Sequence, residues 1–297
     1  MSDVRRATSD VRRSDGQLVD MSQACIRSMS GIVGWPRQMN ATFAQAAALA
    51  AHAKARVLDA RLGGDDAYWA AHSTFKYIKT LEFIAWERRL FRKVETQVAT
   101  TPAGWMATLP AEGIVSLIPP GPDGGGAQEA IGVASQASSG TWVPAWKPSG
   151  ERYPQQRVWQ VRYTMVEARR SSTSSTTVDR ARDGLRHALT KIADFARADA
   201  GLAGWCETFQ GAAALLGASG PVAPFHPDIL PVAGYTLAAR QLLAAAVCGW
   251  VFGGMGSWND GAPTSSEKVP EYHRLTRELY AAVTQGLASA VNDGLEA

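Results

Sequence analysis

The chain lacks most of the signals that assign a function at sight. It contains no GxxxxGK[ST] phosphate loop, no GxSxG nucleophile elbow and no HExxH zinc helix. There is no CxxC pair, and the three cysteines, Cys25, Cys206 and Cys248, stand far apart. An odd count argues against a disulfide framework and fits a reducing, cytoplasmic setting. No apolar run approaches the roughly 18 residues a membrane span requires. Charge of one sign is also scarce. Thirty basic against 27 acidic residues leave a net +3, too little to imply nucleic acid. A basic stretch at Arg88, Arg89, Arg92 and Lys93 is interrupted by Glu82, Glu87 and Glu95, which reads as a solvated face.

The 297 residues are 46% hydrophobic and include ten tryptophans, enough to bury a full core. The first 20 residues repeat SDVRR at Ser2–Arg6 and Ser9–Arg13 and offer nothing apolar to bury or to serve as a secretory signal. Residues 1–40 are therefore expected to be disordered or extended, with Met21 an alternative start. Residues 41–62 read as an Ala-rich helix stopped by Gly63 and Gly64. Asp65 and Asp66 then cap a long helix over 67–98, whose stripe is Tyr68, Trp69, His72, Phe75, Phe83, Trp86, Leu90 and Val94. Eight of the fifteen prolines fall between Pro102 and Pro154, which reads as an irregular insertion. Ile114–Ile118 and Ala130–Ala134 are short strands or plain loop, and the alternation Trp159, Val161, Tyr163, Met165 has strand period.

Further helices are expected over 178–198, 202–216 and 237–252, and from Pro270 onward. The stretch 237–252 is nearly apolar all round, as a central bundle helix is. The expected fold is mostly α: a helical bundle with a Pro/Gly-rich irregular insertion at 102–156 and few short strands, forming one domain over 41–297.

Five histidines supply the main candidates for chemistry. His72 falls on an apolar stripe, as a bonded core histidine or as a pocket acid–base group or ligand. His187 lies on the polar side of its helix with Asp183 four residues earlier, on a solvated face or as a metal-bound imidazole oriented by a carboxylate. His226, in Phe225-His226-Pro227-Asp228, marks a structural corner. His52 and His273 read as surface residues. The string Gly253-Gly254-Met255-Gly256-Ser257-Trp258-Asn259-Asp260 is a helix stop and turn, or a site in which Ser257, Trp258, Asn259 and Asp260 recognise an amino acid.

A helical, Trp-rich chain with a helix-borne histidine in each half, Phe225–Asp228, and Gly249-Trp250-Val251-Phe252 running into Gly253–Asp260 resembles the histidine-ligated, haem-dependent tyrosine hydroxylases of natural-product pathways, related in fold to the tryptophan dioxygenases. The resemblance implies a cytoplasmic α-helical homodimer binding haem b. His187 would be the proximal iron ligand and His72 the distal catalytic histidine, with those two roles exchangeable. The reaction would convert L-tyrosine to L-DOPA with hydrogen peroxide. The partner would be a small aromatic amino acid, with neither nucleic acid nor membrane involved. Two other readings stand beside it: a non-catalytic binding or assembly protein, and a non-haem metalloenzyme drawing on His72, His187, His226 and Asp228.

Overall fold

The structure is a computed structural model, and it describes residues 41–89, 92–121, 129–135, 139–150, 157–167, 176–253 and 256–296. The expectations for residues 1–40, and for parts of the Pro/Gly run, the 171–177 loop and Gly254-Met255, lie outside these. The mostly-α expectation fails. Among the described residues seven α-helices accompany a six-stranded mixed sheet, so the fold is α/β. The helices are α1 (Ala41–Ala55), α2 (Asp66–Ala71), α3 (Pro102–Thr108), α4 (Val178–Arg197), α5 (Cys206–Leu215), α6 (Leu237–Cys248) and α7 (Val269–Asp293). The strands are β1 (Ile78–Arg89), β2 (Arg92–Ala99), β3 (Ile114–Ile118), β4 (Ala130–Ala134), β5 (Ser139–Pro148) and β6 (Trp159–Glu167). No described helix is long and apolar enough to cross a membrane. Among the described cysteines, Cys248 takes part in a disulfide while Cys206 is a free thiol.

The described residues form two compact units. A sheet unit comprises Asn40–Val178, His226–Arg240 and Leu287–Ala297, and a helical unit comprises Asp179–Phe225 and Gln241–Gly286.

In the sheet unit the strand order is β2-β1-β6-β5-β4-β3. β1 and β6 run parallel at the centre, and every other pairing is antiparallel. Alternation places Leu81 and Phe83 of β1 beside Val161 and Tyr163 of β6 on one buried face, while Glu82 and Arg162 pair on the other. Phe83 is stacked between Trp105 of α3, at 5.0 Å, and Tyr163, at 5.2 Å, with Trp142 of β5 edge-on at 5.8 Å. Such ring pairs add to plain area burial.

The expected insertion thus supplies α3 and three strands. Its prolines are compatible with a sheet because of where they fall. Pro144 and Pro148 lie in the part of β5 beyond Trp142, where β4 has ended and only β6 is paired. A missing N–H is tolerated on such an open edge.

The expected helix over 67–98 is also corrected. α2 ends at His72, whose Nδ1 accepts the Thr74 N–H at 3.2 Å, while the Ser73 N–H donates to Asp228 Oδ2 at 2.7 Å. Side chains that capture backbone N–H groups compete with the helix and end it. Arg88, Arg89, Arg92 and Lys93 consequently lie at the turn of the β1–β2 hairpin, not on a helix face.

α1 is the axis of the sheet unit. From Phe43 to Ala55 every residue except Lys54 is buried. Alanine forms helix without side-chain entropy loss, and its methyl group lets other layers approach from all sides. Gln45 fixes the helix in place. Its Oε1 accepts the Tyr163 hydroxyl at 3.1 Å and its Nε2 donates to Thr74 O at 3.4 Å. Tyr235 donates to Ala51 O and Val291 O, each at 3.2 Å. Asn292 pairs with both backbone groups of Leu117 on edge strand β3, at 2.7 and 2.8 Å, and so blunts that edge.

In the helical unit, α4 buries Ala181, Leu185, Ala188, Leu189 and Ile192 at helical spacing, with Phe195 on the same stripe half-buried, and the α6 residues from Leu242 to Cys248 are buried as expected of a central helix. Gly249 lies against Leu189 and Val283, and Gly286 against Leu242, Ala246 and Leu185, so small residues set the helix crossings. The buried carboxylate of Asp199 accepts from Gly201 N, from Thr264 N and Oγ1, and from Lys268 Nζ, which anchors the segment ahead of α7.

The all-round burial of α1 has a measurable consequence. Ala47→Leu forces extra carbons into a filled layer and should cost about 1–3 kcal/mol, read as a lower urea midpoint. An unchanged midpoint would place Ala47 on a face with room to spare.

Candidate functional site

Within the sheet unit, two segments far apart in sequence bring together His52, Tyr68, His72, Ser73, His226 and Asp228. His52 lies in the last turn of α1. Asp65 caps α2 by accepting the Tyr68 N–H at 2.8 Å, which sets the direction of Tyr68, Trp69 and His72. The second segment is the corner Phe225-His226-Pro227-Asp228, in which His226 has φ 49°, rare for a residue with a side chain.

The hydrogen bonds fix the proton positions. Asp228 accepts the Ser73 N–H at 2.7 Å and, in a short contact through Oδ1, the Ser73 hydroxyl. The Ser73 hydroxyl proton is thereby committed, so its oxygen accepts from His226 Nδ1–H at 2.9 Å. His72 Nδ1 accepts from Thr74, so its Nε2–H donates to Asp228 O at 2.9 Å. His52 Nδ1–H donates to Leu62 O at 2.7 Å, and Tyr68 donates to His52 Nε2 at 3.1 Å. The histidines sit among rings: Trp69 stacks on His72 at 4.9 Å and meets His52 edge-on at 4.9 Å.

The electrostatics agree with three neutral imidazoles around one carboxylate. Burial lowers all three histidine pKa values, with Asp228 opposing, and brings His72 to about 4. Burial alone would raise Asp228, but the hydrogen bonds from Ser73 hold it below its ordinary value. Burial pushes the Tyr68 phenol up to about 12.

Ser, His and Asp side chains in contact invite comparison with a hydrolytic triad, and the connectivity differs at each step. In a triad the histidine takes the serine proton and the carboxylate orients the histidine. Here the carboxylate holds the serine proton, and His226 donates to the serine oxygen. The Ser73 N–H, which could have formed part of an oxyanion hole, is bound to Asp228. His226 Nε2 has no partner, but it is shielded from solvent. The cluster is a polar clamp closed on itself.

The residues singled out by sequence divide between the two units. His72 belongs to the clamp and has both ring nitrogens engaged. His187 is exposed on α4, in the helical unit. Ser257, Trp258, Asn259 and Asp260 also belong to the helical unit, where they form a short 3₁₀ turn. The Ser257 N–H donates to the Asp260 carboxylate at 3.0 Å. Trp258 is fully buried, and its indole donates to Thr276 Oγ1 at 2.7 Å. This turn caps the fold, so three of the four groups expected to meet an amino acid are engaged internally. Asn259 stays exposed.

His226 and Asp228 form the expected corner and also join His72. His52, expected at the surface, is buried in the clamp. Tyr68, Ser73 and Thr74 were missed as site residues. The one sequence signal for them was the polar run His72-Ser73-Thr74 between aromatic neighbours. Among the described residues, no three His, Cys, Asp or Glu side chains are arranged to hold a metal ion. Comparison with protein-family models, curated proteins and solved structures finds no match for this chain.

The clamp makes stability depend on pH. A histidine whose pKa is lowered on folding contributes stability that is complete above its unfolded value of about 6.5 and is lost as pH falls toward the folded value. For His72 that window runs from 6.5 to about 4. At pH 5 it alone should cost about 2 kcal/mol relative to pH 7.5, with His52 and His226 adding in the same direction. Asp228 retains its contribution until the pH falls below its ordinary value. Urea midpoints at pH 7.5 and 5.0 check this, and equal midpoints would mean that the imidazoles protonate freely in the fold.

Proposed function

We propose that this chain is a non-catalytic binding or assembly protein. The observation that carries this reading is the closed clamp. The one dense cluster of acid–base groups in the sheet unit has its hydroxyl, carboxylate and ring N–H groups committed to internal hydrogen bonds. A general base or nucleophile needs a lone pair or proton within reach of a substrate.

The outer surface of the same unit offers apolar contact instead. Val57, Leu58 and Val232 are 62%, 51% and 69% exposed, and Gly234, two residues beyond Val232, lies against Leu58 and Leu62. Two chain segments thus meet just beyond α1, and each carries exposed apolar side chains near the junction, as recognition surfaces do.

Haem b, implied by the family resemblance, does not fit the residues proposed to hold it. An iron ligand must present a free ring nitrogen, and both nitrogens of His72 are engaged. His187 sits on an exposed helix face, away from the enclosed apolar surface that a porphyrin requires.

Purified protein titrated with haemin should show no Soret shift, and metal analysis should find well below one equivalent of transition metal. A Soret band that moves on adding L-tyrosine would establish haem-dependent hydroxylation instead. Stoichiometric metal without that band would establish a non-haem metal site.

A further inference from the structure

Arg56, one residue beyond α1 in the sheet unit, is a half-buried cation that forms no ion pair with the described residues. Its guanidinium reaches the C-terminal end of α3, where Nη1 donates to Met106 O in a short contact and Nη2 donates to Leu109 O at 3.0 Å. Both partners are neutral carbonyls. The only electrostatic influence on the group is burial, which lowers its pKa, and no carboxylate opposes it. Its Nε–H is shielded from solvent and has no acceptor among the described residues, so the donors left for a ligand are the remaining hydrogens of Nη1 and Nη2. Several other half-buried cations have an acidic neighbour. Lys54 feels Asp293, Arg182 is paired with Asp179, and Lys268 is paired with Asp199. Partly desolvated charge is ordinarily compensated by opposite charge.

Arg56 also lines a groove of about 560 Å³. Its other walls are small or apolar, among them Val57, Ala60, Gly63, Met106 and Ala107. That volume is in the range of small-molecule sites, which combine apolar walls with a few fixed polar groups. Gly64, which also lines the groove, has φ 71°, and a Cβ there would stand 2.5 Å from the Tyr68 ring, so the position requires glycine.

We propose that this groove binds a carboxylate carried on a short apolar body, with the anion on the remaining Nη hydrogens of Arg56 and the apolar part along Met106, Ala107 and Val57. The two carbonyls hold the guanidinium plane in place, so its remaining donors are preorganised for a planar anion. A free organic acid and a peptide C-terminus share this chemistry. The proposal deepens the binding reading above and rests on it.

The test is amide chemical-shift titration of the full chain, following Gly63, Gly64 and Ala107. Four probes are used: hexanoate, hexanol, a hexapeptide ending in Ala-Leu with a free carboxylate, and the same peptide as its C-terminal amide. Saturable shifts are expected with hexanoate or the peptide acid and not with hexanol or the amide, and whichever acid binds identifies the source. Arg56→Gln should weaken binding at least ~10-fold, the scale of losing a charge-assisted hydrogen bond, with Arg56→Lys intermediate.

Because Arg56 also caps α3, Ala107→Trp serves as a second variant. It fills the groove, leaves the cation intact, and should abolish the shifts. Equal binding of acid and neutral probes, no binding of either acid, or binding unaffected by Ala107→Trp overturns the proposal. None of these outcomes produces a Soret band, so the failure of this site is distinguishable from the failure of the non-catalytic reading.

Discussion

The sheet unit depends on a helix that has no solvent side. An amphipathic helix can be placed by covering one stripe, whereas α1 presents almost nothing but methyl groups and is buried from Phe43 to Ala55 apart from Lys54. Methyl groups permit close approach but specify direction poorly. Specificity therefore comes from the few larger groups around them. Gln45 bonded to Tyr163 sets the helix against the sheet, and Tyr235 bonded to Ala51 O ties it to a later segment. Removal of one partner from such a buried pair leaves the other unsatisfied, which costs more than the bond itself contributes.

The histidine clamp extends the same logic to the far end of α1. Ser73 and Asp228 are 155 residues apart in sequence. The entropy cost of closing so long a loop grows only logarithmically with its length, so a few buried, charge-assisted hydrogen bonds are enough to hold the 226–228 corner in place. The φ of 49° at His226 fits this role. A strained backbone persists where its surroundings over-determine it, and here Ser73 holds both the His226 ring and the Asp228 carboxylate two residues on. Depressed histidine pKa values are common to active sites and to buried polar networks. What separates the two in this protein is the direction of the protons: each donated hydrogen in the clamp ends on another clamp residue or on a nearby carbonyl.

Elements with local causes were legible in the sequence. The α4 stripe, the buried α6 and the alternation in β6 all follow from spacing within one segment, and each lies where its pattern places it. β1 was illegible for a physical reason. Phe83 and Trp86 continue the helical spacing begun by Trp69, His72 and Phe75, and neither glycine nor proline marks the break. The break is made by Asp228, a residue from the other end of the sheet unit, acting on Ser73. β3 and β4 are too short to show a period, and the prolines of β5 are acceptable only because β4 stops early. His52 was misplaced because its neighbours are alanines, which carry no signal of which way a helix faces. The corner at Phe225–Asp228 was legible as a corner, but its partners were not, since they lie in α1, α2 and the turn that follows.

The contrast between two groups of polar residues bears most directly on function. In the clamp, burial is matched by hydrogen bonds and by the negative charge of Asp228, which the surrounding imidazoles need not neutralise because Ser73 solvates it. At Arg56, burial is matched by two carbonyls and no charge at all. Folding alone explains the first arrangement, because every hydroxyl, carboxylate and ring N–H in it meets a partner and the His226 Nε2 left over is shielded from solvent. It explains only half of the second. The carbonyls account for a cation at the end of α3, where the helix dipole favours one, but they engage only one hydrogen on each Nη. A planar guanidinium that lines a groove of small residues and keeps donors to spare has a geometry that a planar anion completes.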